Sequence, residues 1–209
     1  MRKATWYFDF ISPFAYIGLY RLKELPADVQ IEYRPVLFAG ILGHWGQKGP
    51  AELPTKRQYT YRWSHWWASQ LGVPLKYPAA HPFNPLHHLR LAIACGSNPT
   101  IIRTIFDSLW STGADPADPA RFAALCVQFG VDPGTLAGSG IKDTLRRNTE
   151  QAVAAGVFGV PTIEIDGELF WGADSMAFLR AFLADPSVLH NEEIRRLDVL
   201  PVAAARKAG

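Results

Sequence analysis

The pattern of hydrophobic and polar positions changes period twice along this chain. Ala4 to Phe10 is an apolar, β-prone run, and Val29 to Leu37 alternates with period two, the mark of a strand covered on one face. Between them Ile17, Tyr20, Leu22 and Leu25 give a helical pattern from Pro13, and Pro26 stops it. The first forty residues therefore predict β-α-β, with a right-handed crossover and a parallel strand pair.

Phe38 to Pro54 carries Gly40, Gly43, Gly46, Gly49, Pro50 and Pro54, and so predicts a long irregular loop, a kind of segment that is usually functional or mobile. Thr55 to Leu71 is helical, with Tyr59, Trp63, Trp66 and Trp67 at helical spacing, and a second loop follows from Tyr77 to Pro85. The spans Leu86–Cys95, Thr100–Trp110, Asp118–Phe129, Asp132–Ala137 and Ile141–Ala155 then predict consecutive helices, most with a proline near the start.

At Gly156 the strand period returns. Val157 to Ile165 reads as a strand entered through Pro161, Asp166-Gly167 as a two-residue hairpin turn, and Glu168 to Trp171 as the return strand. A last helix is expected over Ser175–Leu183, capped by Asp174 or Ser175, before a tail that is amphipathic at Ile194 and Leu197 and then basic and frayed. The expected organisation is one β-containing unit from residues 1–54 and 156–185, an inserted helical subdomain over 55–155, and a tail over 186–209.

Composition narrows the function classes. A formal charge of +2 over 209 residues, without a Lys/Arg run, gives no support for nucleic-acid binding. No apolar run approaches the roughly 20 residues that a membrane-spanning helix needs. The start of the chain lacks the pattern of a signal peptide, because Asp9 and Pro13 interrupt its apolar stretch. Cys95 and Cys126 lie in helical patterns and read as reduced packing residues of a cytoplasmic protein. None of the histidines His44, His65, His81, His87 and His88 has a partner at metal-ligand spacing, so no metal is expected. Seven Trp and twelve Phe favour an aromatic-lined pocket.

The candidate chemistry begins at Phe8-Asp9-Phe10-Ile11-Ser12-Pro13-Phe14-Ala15-Tyr16, where a strand runs into a helix through a Ser-Pro pair. Taken alone, Ser12 is an ordinary N-cap and Pro13 a first-turn proline. Such a helix start nevertheless gathers free N–H groups and a positive dipole end, which favour anions, thiolates included.

A β-α-β opening and a β-β-α ending, split by a helical block, resemble an α/β thioredoxin-like fold with an inserted all-helical subdomain. Gly159-Val160-Pro161-Thr162 is similar to the Val-Pro-Thr that holds the cis-proline of that fold. Together with Phe83-Asn84-Pro85 and Phe170-Trp171-Gly172-Ala173-Asp174-Ser175, these segments make the chain resemble the 2-hydroxychromene-2-carboxylate isomerases. It is similar also to their relatives, the kappa-class glutathione transferases, on the DsbA-like branch. Ser12 and Ala15 stand where a dithiol enzyme would need two cysteines, so disulfide exchange is excluded.

The resemblance implies glutathione as cofactor, an aromatic-derived carboxylate as substrate, and a homodimer. It implies that Ser12 holds and activates the glutathione sulfur, and that Val160, before Pro161, pairs its backbone with the extended peptide. Asp174 and Ser175 would grip the γ-glutamyl end, and Lys56 the glycine carboxylate. Asn84 would wall the second-substrate pocket, with Phe14, Phe38, Phe83 and Trp171 as aromatic faces. Two other readings stay open: a kappa-like transferase that conjugates electrophiles, and a non-catalytic thioredoxin-fold module that binds a peptide along the proline strand.

Overall fold

In the computed structural model, which describes residues 1–204, strands β1 (Arg2–Phe8), β2 (Val29–Pro35), β3 (Thr162–Ile165) and β4 (Glu168–Trp171) form one mixed sheet. The strand order is β2-β1-β3-β4. β1 runs parallel to β2, with Trp6 opposite Tyr33, and antiparallel to β3, with Trp6 opposite Ile163. The parallel pair follows from the crossover by α1 (Pro13–Arg21), as the hydrophobic pattern predicts. The β3–β4 hairpin turns at Asp166 and Gly167, with φ of 53° and 85°, the two positive values that a primed two-residue turn requires.

Successive β1 side chains point to opposite faces, and each face has its own core. Ala4, Trp6 and Phe8 join Phe10, Tyr16 and Phe106 in the larger cluster, where the Trp6 and Phe8 rings stack at 4.5 Å and Phe10 meets Phe106 at 4.6 Å. Phe106 belongs to α5 (Pro99–Trp110). Tyr7 points the other way, into a smaller cluster with Val36, Ile41, Ala152, Val157 and Val160.

Several sequence expectations are corrected by the structure, among them the strand expected over Val157–Ile165, which begins only at Thr162. The expected loop over residues 38–54 contains an α-helix, α2 (Phe38–Trp45), followed by a short 3-10 turn at Pro50–Glu52. Its glycines read as breakers, yet tertiary contacts use them. A side chain on Gly40 would come within 3.2 Å of Thr149, so its absence lets α2 approach α7 (Ser139–Ala154), and Gly46, with φ of 62°, closes the helix. β1 also stops at Phe8 instead of Phe10, because Asp9 to Ile11 turn into α1.

The remaining helices are α3 (Pro54–Gln70), α4 (Leu86–Ala94), α6 (Pro119–Gln128), α8 (Met176–Ala184) and α9 (Glu192–Asp198). The helix expected over Asp132–Ala137 is a 3-10 turn, Pro133–Ala137. The end of the tail expected to fray, residues 205–209, lies outside the described residues. Among the described residues no helix is long and apolar enough to cross a membrane.

Candidate active site

The turn between β1 and α1 is held from several sides. Asp9, fully buried, accepts the Ile11 N–H on one carboxylate oxygen at 3.1 Å and the Phe38 N–H at 2.8 Å on the other, so it joins the turn to the first residue of α2. Trp110 of α5 donates its indole N–H to the Phe10 carbonyl at 2.8 Å. His81 Nε2 lies 2.9 Å from the Ile11 carbonyl, and the Ser12 N–H donates to the Asp9 carbonyl at 3.1 Å. The backbone of residues 9–12 is thereby fixed before any ligand arrives.

Ser12 occupies the N-cap of α1, and its Oγ accepts from the Ala15 N–H at 3.2 Å. The same hydroxyl donates to the Val160 carbonyl at 3.4 Å, and only 7% of the residue is exposed. The Val160–Pro161 peptide is cis. Among the described residues the Val160 N–H donates to no acceptor. The Pro161 carbonyl accepts from Gly172 N–H at 2.8 Å, which ties the loop after β4 to the same point. α1 packs against both, since a methyl on Gly18 would lie 3.4 Å from Pro161 and 3.6 Å from Ala173. Arg21 at the end of α1 donates to the Ala173 carbonyl at 2.8 Å.

Ser12, Val160, Pro161, Asp174 and Ser175 are thus brought to one end of the sheet by direct bonds or packing. Asp174 is exposed, and its carboxylate accepts no hydrogen bond among the described residues. Ser175 departs from the expected cap. A 3-10 turn over Ala173–Ser175 precedes α8, and the Ser175 hydroxyl donates back to the Gly172 carbonyl at 2.8 Å instead of accepting from the helix. Gly172 makes this loop possible, at a φ of 88° and ψ of 151° that only glycine adopts readily.

The aromatic candidates fall around this point unevenly. Phe14 packs on Trp67 of α3 at 6.4 Å, and Phe38 packs against the cluster that contains Val160. Trp171 is 54% exposed, meets the Phe158 ring in a tilted contact at 5.1 Å and covers Gly159, whose missing side chain leaves room for the indole. Phe83 lies against His81 and Trp110 at 6.0 and 6.2 Å.

Two residues are not brought into contact with the rest. Asn84 uses its side-chain carbonyl locally, accepting from the Leu86 N–H at 3.0 Å. Lys56 is exposed on the first turn of α3 without an ion pair among the described residues.

Two residues, Asp9 and His81, stand at the site without having been singled out in the sequence. Burial pushes the Asp9 carboxyl up to about 7, against the pull of its backbone N–H donors. His81 is held below its ordinary range, first by burial and further by the Arg57 charge. Because the Ile11 carbonyl can only accept, His81 carries its proton on Nε2, and Nδ1 meets the Tyr61 hydroxyl at 2.6 Å. Arg57, one turn before Tyr61 on α3, is the cation whose charge bears on His81. The only signal in the sequence was that Asp9 sits inside the motif itself and His81 inside a proline-rich loop.

The His81 clamp gives a direct test. His81→Ala is expected to cost about 2 kcal/mol in urea unfolding, the scale of one lost buried hydrogen bond with its carbonyl left unpaired. It should also speed amide exchange at Ile11 and Ser12. Exchange at the parent rate would show that the turn holds without the histidine.

Comparison with known proteins agrees with this fold. Residues 5–184 match the model of the DSBA-like thioredoxin domain. A 2-hydroxychromene-2-carboxylate isomerase of Sphingobium xenophagum is 30% identical over 192 residues, spanning 86% of this chain and 97% of the relative. The human glutathione S-transferase kappa 1 is 24% identical, over 88% of this chain and 92% of its own length. A solved 2-hydroxychromene-2-carboxylate isomerase superposes with a TM-score of 0.75 at 24% identity, over 92% of this chain and 98% of that one.

Proposed function

The chain belongs to the DSBA-like thioredoxin domain family, among the 2-hydroxychromene-2-carboxylate isomerases and the related kappa-class glutathione transferases, and on that premise we propose that it is a glutathione-dependent isomerase. The substrate in this reading is 2-hydroxychromene-2-carboxylate or a related aromatic-derived carboxylate. The observation that carries it is a serine, not a cysteine, capping α1 beside the Val160 carbonyl, in a chain whose free cysteines Cys95 and Cys126 lie far from the turn in sequence. A site built to stabilise a thiolate, and lacking its own thiol, takes its sulfur from a ligand.

Glutathione would place its sulfur at Ser12, run its cysteinyl backbone along Val160, and direct its γ-glutamyl ammonium to Asp174. Ser175 and the first amides after Gly172 would meet the γ-glutamyl carboxylate, and Lys56 or Arg57 the glycine end. The Ser12 O–H and the α1 N-terminus lower the thiol pKa, as a helix start does for cysteine. The thiolate adds to the unsaturated carbon skeleton of the substrate, so that a double bond becomes single. Rotation about that bond follows, and elimination returns the thiolate and yields trans-o-hydroxybenzylidenepyruvate. Glutathione is regenerated and so acts as a cofactor. In the same reading the protein works in the cytoplasm as a homodimer.

Kappa-like conjugation is the second reading, supported by the 24% identity to the human kappa transferase. The two differ in stoichiometry. Millimolar glutathione is expected to raise the unfolding temperature, because a ligand at 100 times its Kd stabilises the native state by about 2.7 kcal/mol. With the chromene acid added, isomer should form with no net loss of glutathione. No thermal protection would overturn both readings, and stoichiometric consumption of glutathione without isomer would select the transferase.

A further inference from the structure

The peptide unit between Ile11 and Ser12 aims the Ser12 side chain, and both its polar ends are held. Its N–H donates to the Asp9 carbonyl at 3.1 Å, and its carbonyl meets His81 Nε2 at 2.9 Å. One residue earlier, the Phe10 carbonyl accepts the Trp110 indole N–H at 2.8 Å. Two ring N–H groups therefore hold successive carbonyls, and the His81 and Trp110 rings meet edge-on at 5.5 Å.

An imidazole keeps such a bond only while its orientation and tautomer are fixed, because a half-turn of the ring puts a carbon where each nitrogen was. Packing does not fix them. Tyr61, Tyr77 and Phe83 also flank His81, with centroids at 5.2, 5.8 and 6.0 Å, but aromatic faces distinguish poorly between the two orientations. The contact that does distinguish them is the Tyr61 hydroxyl, 2.6 Å from Nδ1 and 2.8 Å from the His81 carbonyl. With the ring proton on Nε2, Nδ1 holds a lone pair that the Tyr61 O–H satisfies. Turning the ring would break both nitrogen contacts at once. Moving the proton to Nδ1 would set the Nε2 lone pair against the Ile11 carbonyl.

Tyr77 supplies the contrast. Its ring lies 4.5 Å from that of Tyr61, yet its hydroxyl pairs with Ser64 at 2.7 Å and makes no hydrogen bond to His81 among the described residues.

We propose that Tyr61 of α3 is a positioning residue for Ser12. Its hydroxyl fixes the His81 ring, His81 fixes the Ile11–Ser12 peptide, and that peptide sets where the Ser12 hydroxyl points. A displaced donor loses rate before it loses binding, since the other contacts to the ligand remain. The effect on turnover rests on the isomerase reading, whereas the hold on the turn does not.

The test compares Tyr61→Phe with Tyr77→Phe, two hydroxyl deletions in one aromatic cluster. Amide exchange at Ser12 should speed up about tenfold in Y61F, the scale of one lost hydrogen bond, and stay at the parent rate in Y77F. In glutathione-dependent turnover Y61F should lose about tenfold in kcat, with KM for glutathione changed by less than about twofold. Y77F should change neither. Nitrogen NMR of the histidine-labelled parent chain should show His81 protonated on Nε2, with the Nδ1 resonance displaced by an accepted hydrogen bond. Y61F should lose that displacement, and the parent measurement keeps the test standing if Y61F does not fold. Parent-rate exchange at Ser12 in Y61F, an equal response in Y77F, a loss confined to KM, or a parent proton on Nδ1 would each overturn the proposal. Exchange and NMR need no glutathione. If both respond as expected while the parent shows no glutathione-dependent turnover, the isomerase reading falls and the positioning role stands.

Discussion

Replacing Ser12 by alanine is expected to lower glutathione-dependent turnover about 10²-fold or more, the scale of losing one preorganised donor to a developing or resident anion. The loss should fall mainly on kcat, because Val160 and Asp174 still bind the tripeptide in the proposed mode. The pKa of bound glutathione, followed by the ultraviolet absorbance of its thiolate, should rise toward its free value. Removal of the cap adds a stability cost of about 1 kcal/mol, so a control is needed. Ser12→Asp supplies it. An aspartate also caps α1, but it cannot donate to the Val160 carbonyl and sets a carboxylate against the thiolate, so activity should fall at least as far as in the alanine variant although the cap is kept. An S12D protein that keeps its turnover would show that the hydroxyl does not face the sulfur.

The second large effect concerns Asp9. Its carboxyl is raised from an ordinary 3.8 to about 7 by burial, so between those values the folded chain keeps a proton that the unfolded chain has released. Stability therefore falls as pH rises from about 4 to about 7, and is fully present only below the unfolded value. A shift of this size corresponds to something of order 4 kcal/mol over the window. Asp9→Asn should flatten that slope. It keeps an oxygen to accept one of the two N–H groups, from Ile11 or Phe38, and removes the buried charge. Urea unfolding of both proteins across pH 4 to 8 checks this, and parallel slopes would place the titrating group elsewhere. The consequence for the site is that the carboxylate ionises within three residues of Ser12 close to neutral pH.

Much of the fold was legible because periodicity and turn chemistry are local. The alternation in Val29–Leu37, the Asp166-Gly167 turn and the proline-led helix starts each specify a backbone state without help from the rest of the chain. The glycines of 38–46 misled for the same reason. Their local preference is for a loop, and only the close approach of Thr149 on α7 and the Asp9 carboxylate at Phe38 N–H make a helix there the better state. In α3 the aromatic spacing pointed to a helix but not to which face is covered. The structure buries Thr60, Ser64 and Ala68 and leaves Tyr59, Trp63 and Trp66 exposed, with Ser64 hydrogen-bonded to the Tyr77 hydroxyl at 2.7 Å.

By itself the sequence determined the order of the elements, the strand-Ser-Pro-helix junction and the absence of a dithiol at that junction. These depend on residue identity and on spacings of a few positions. Tertiary structure alone decided that Ser12 meets the Val160 carbonyl across 148 positions of chain, that His81 reaches the Ile11 carbonyl, and that the Arg90 Nε is left without a partner among the described residues. Hydrogen bonds, desolvation and charge act over a few ångströms in space and take no account of separation along the chain, so these relations exist only once the sheet has brought its ends together.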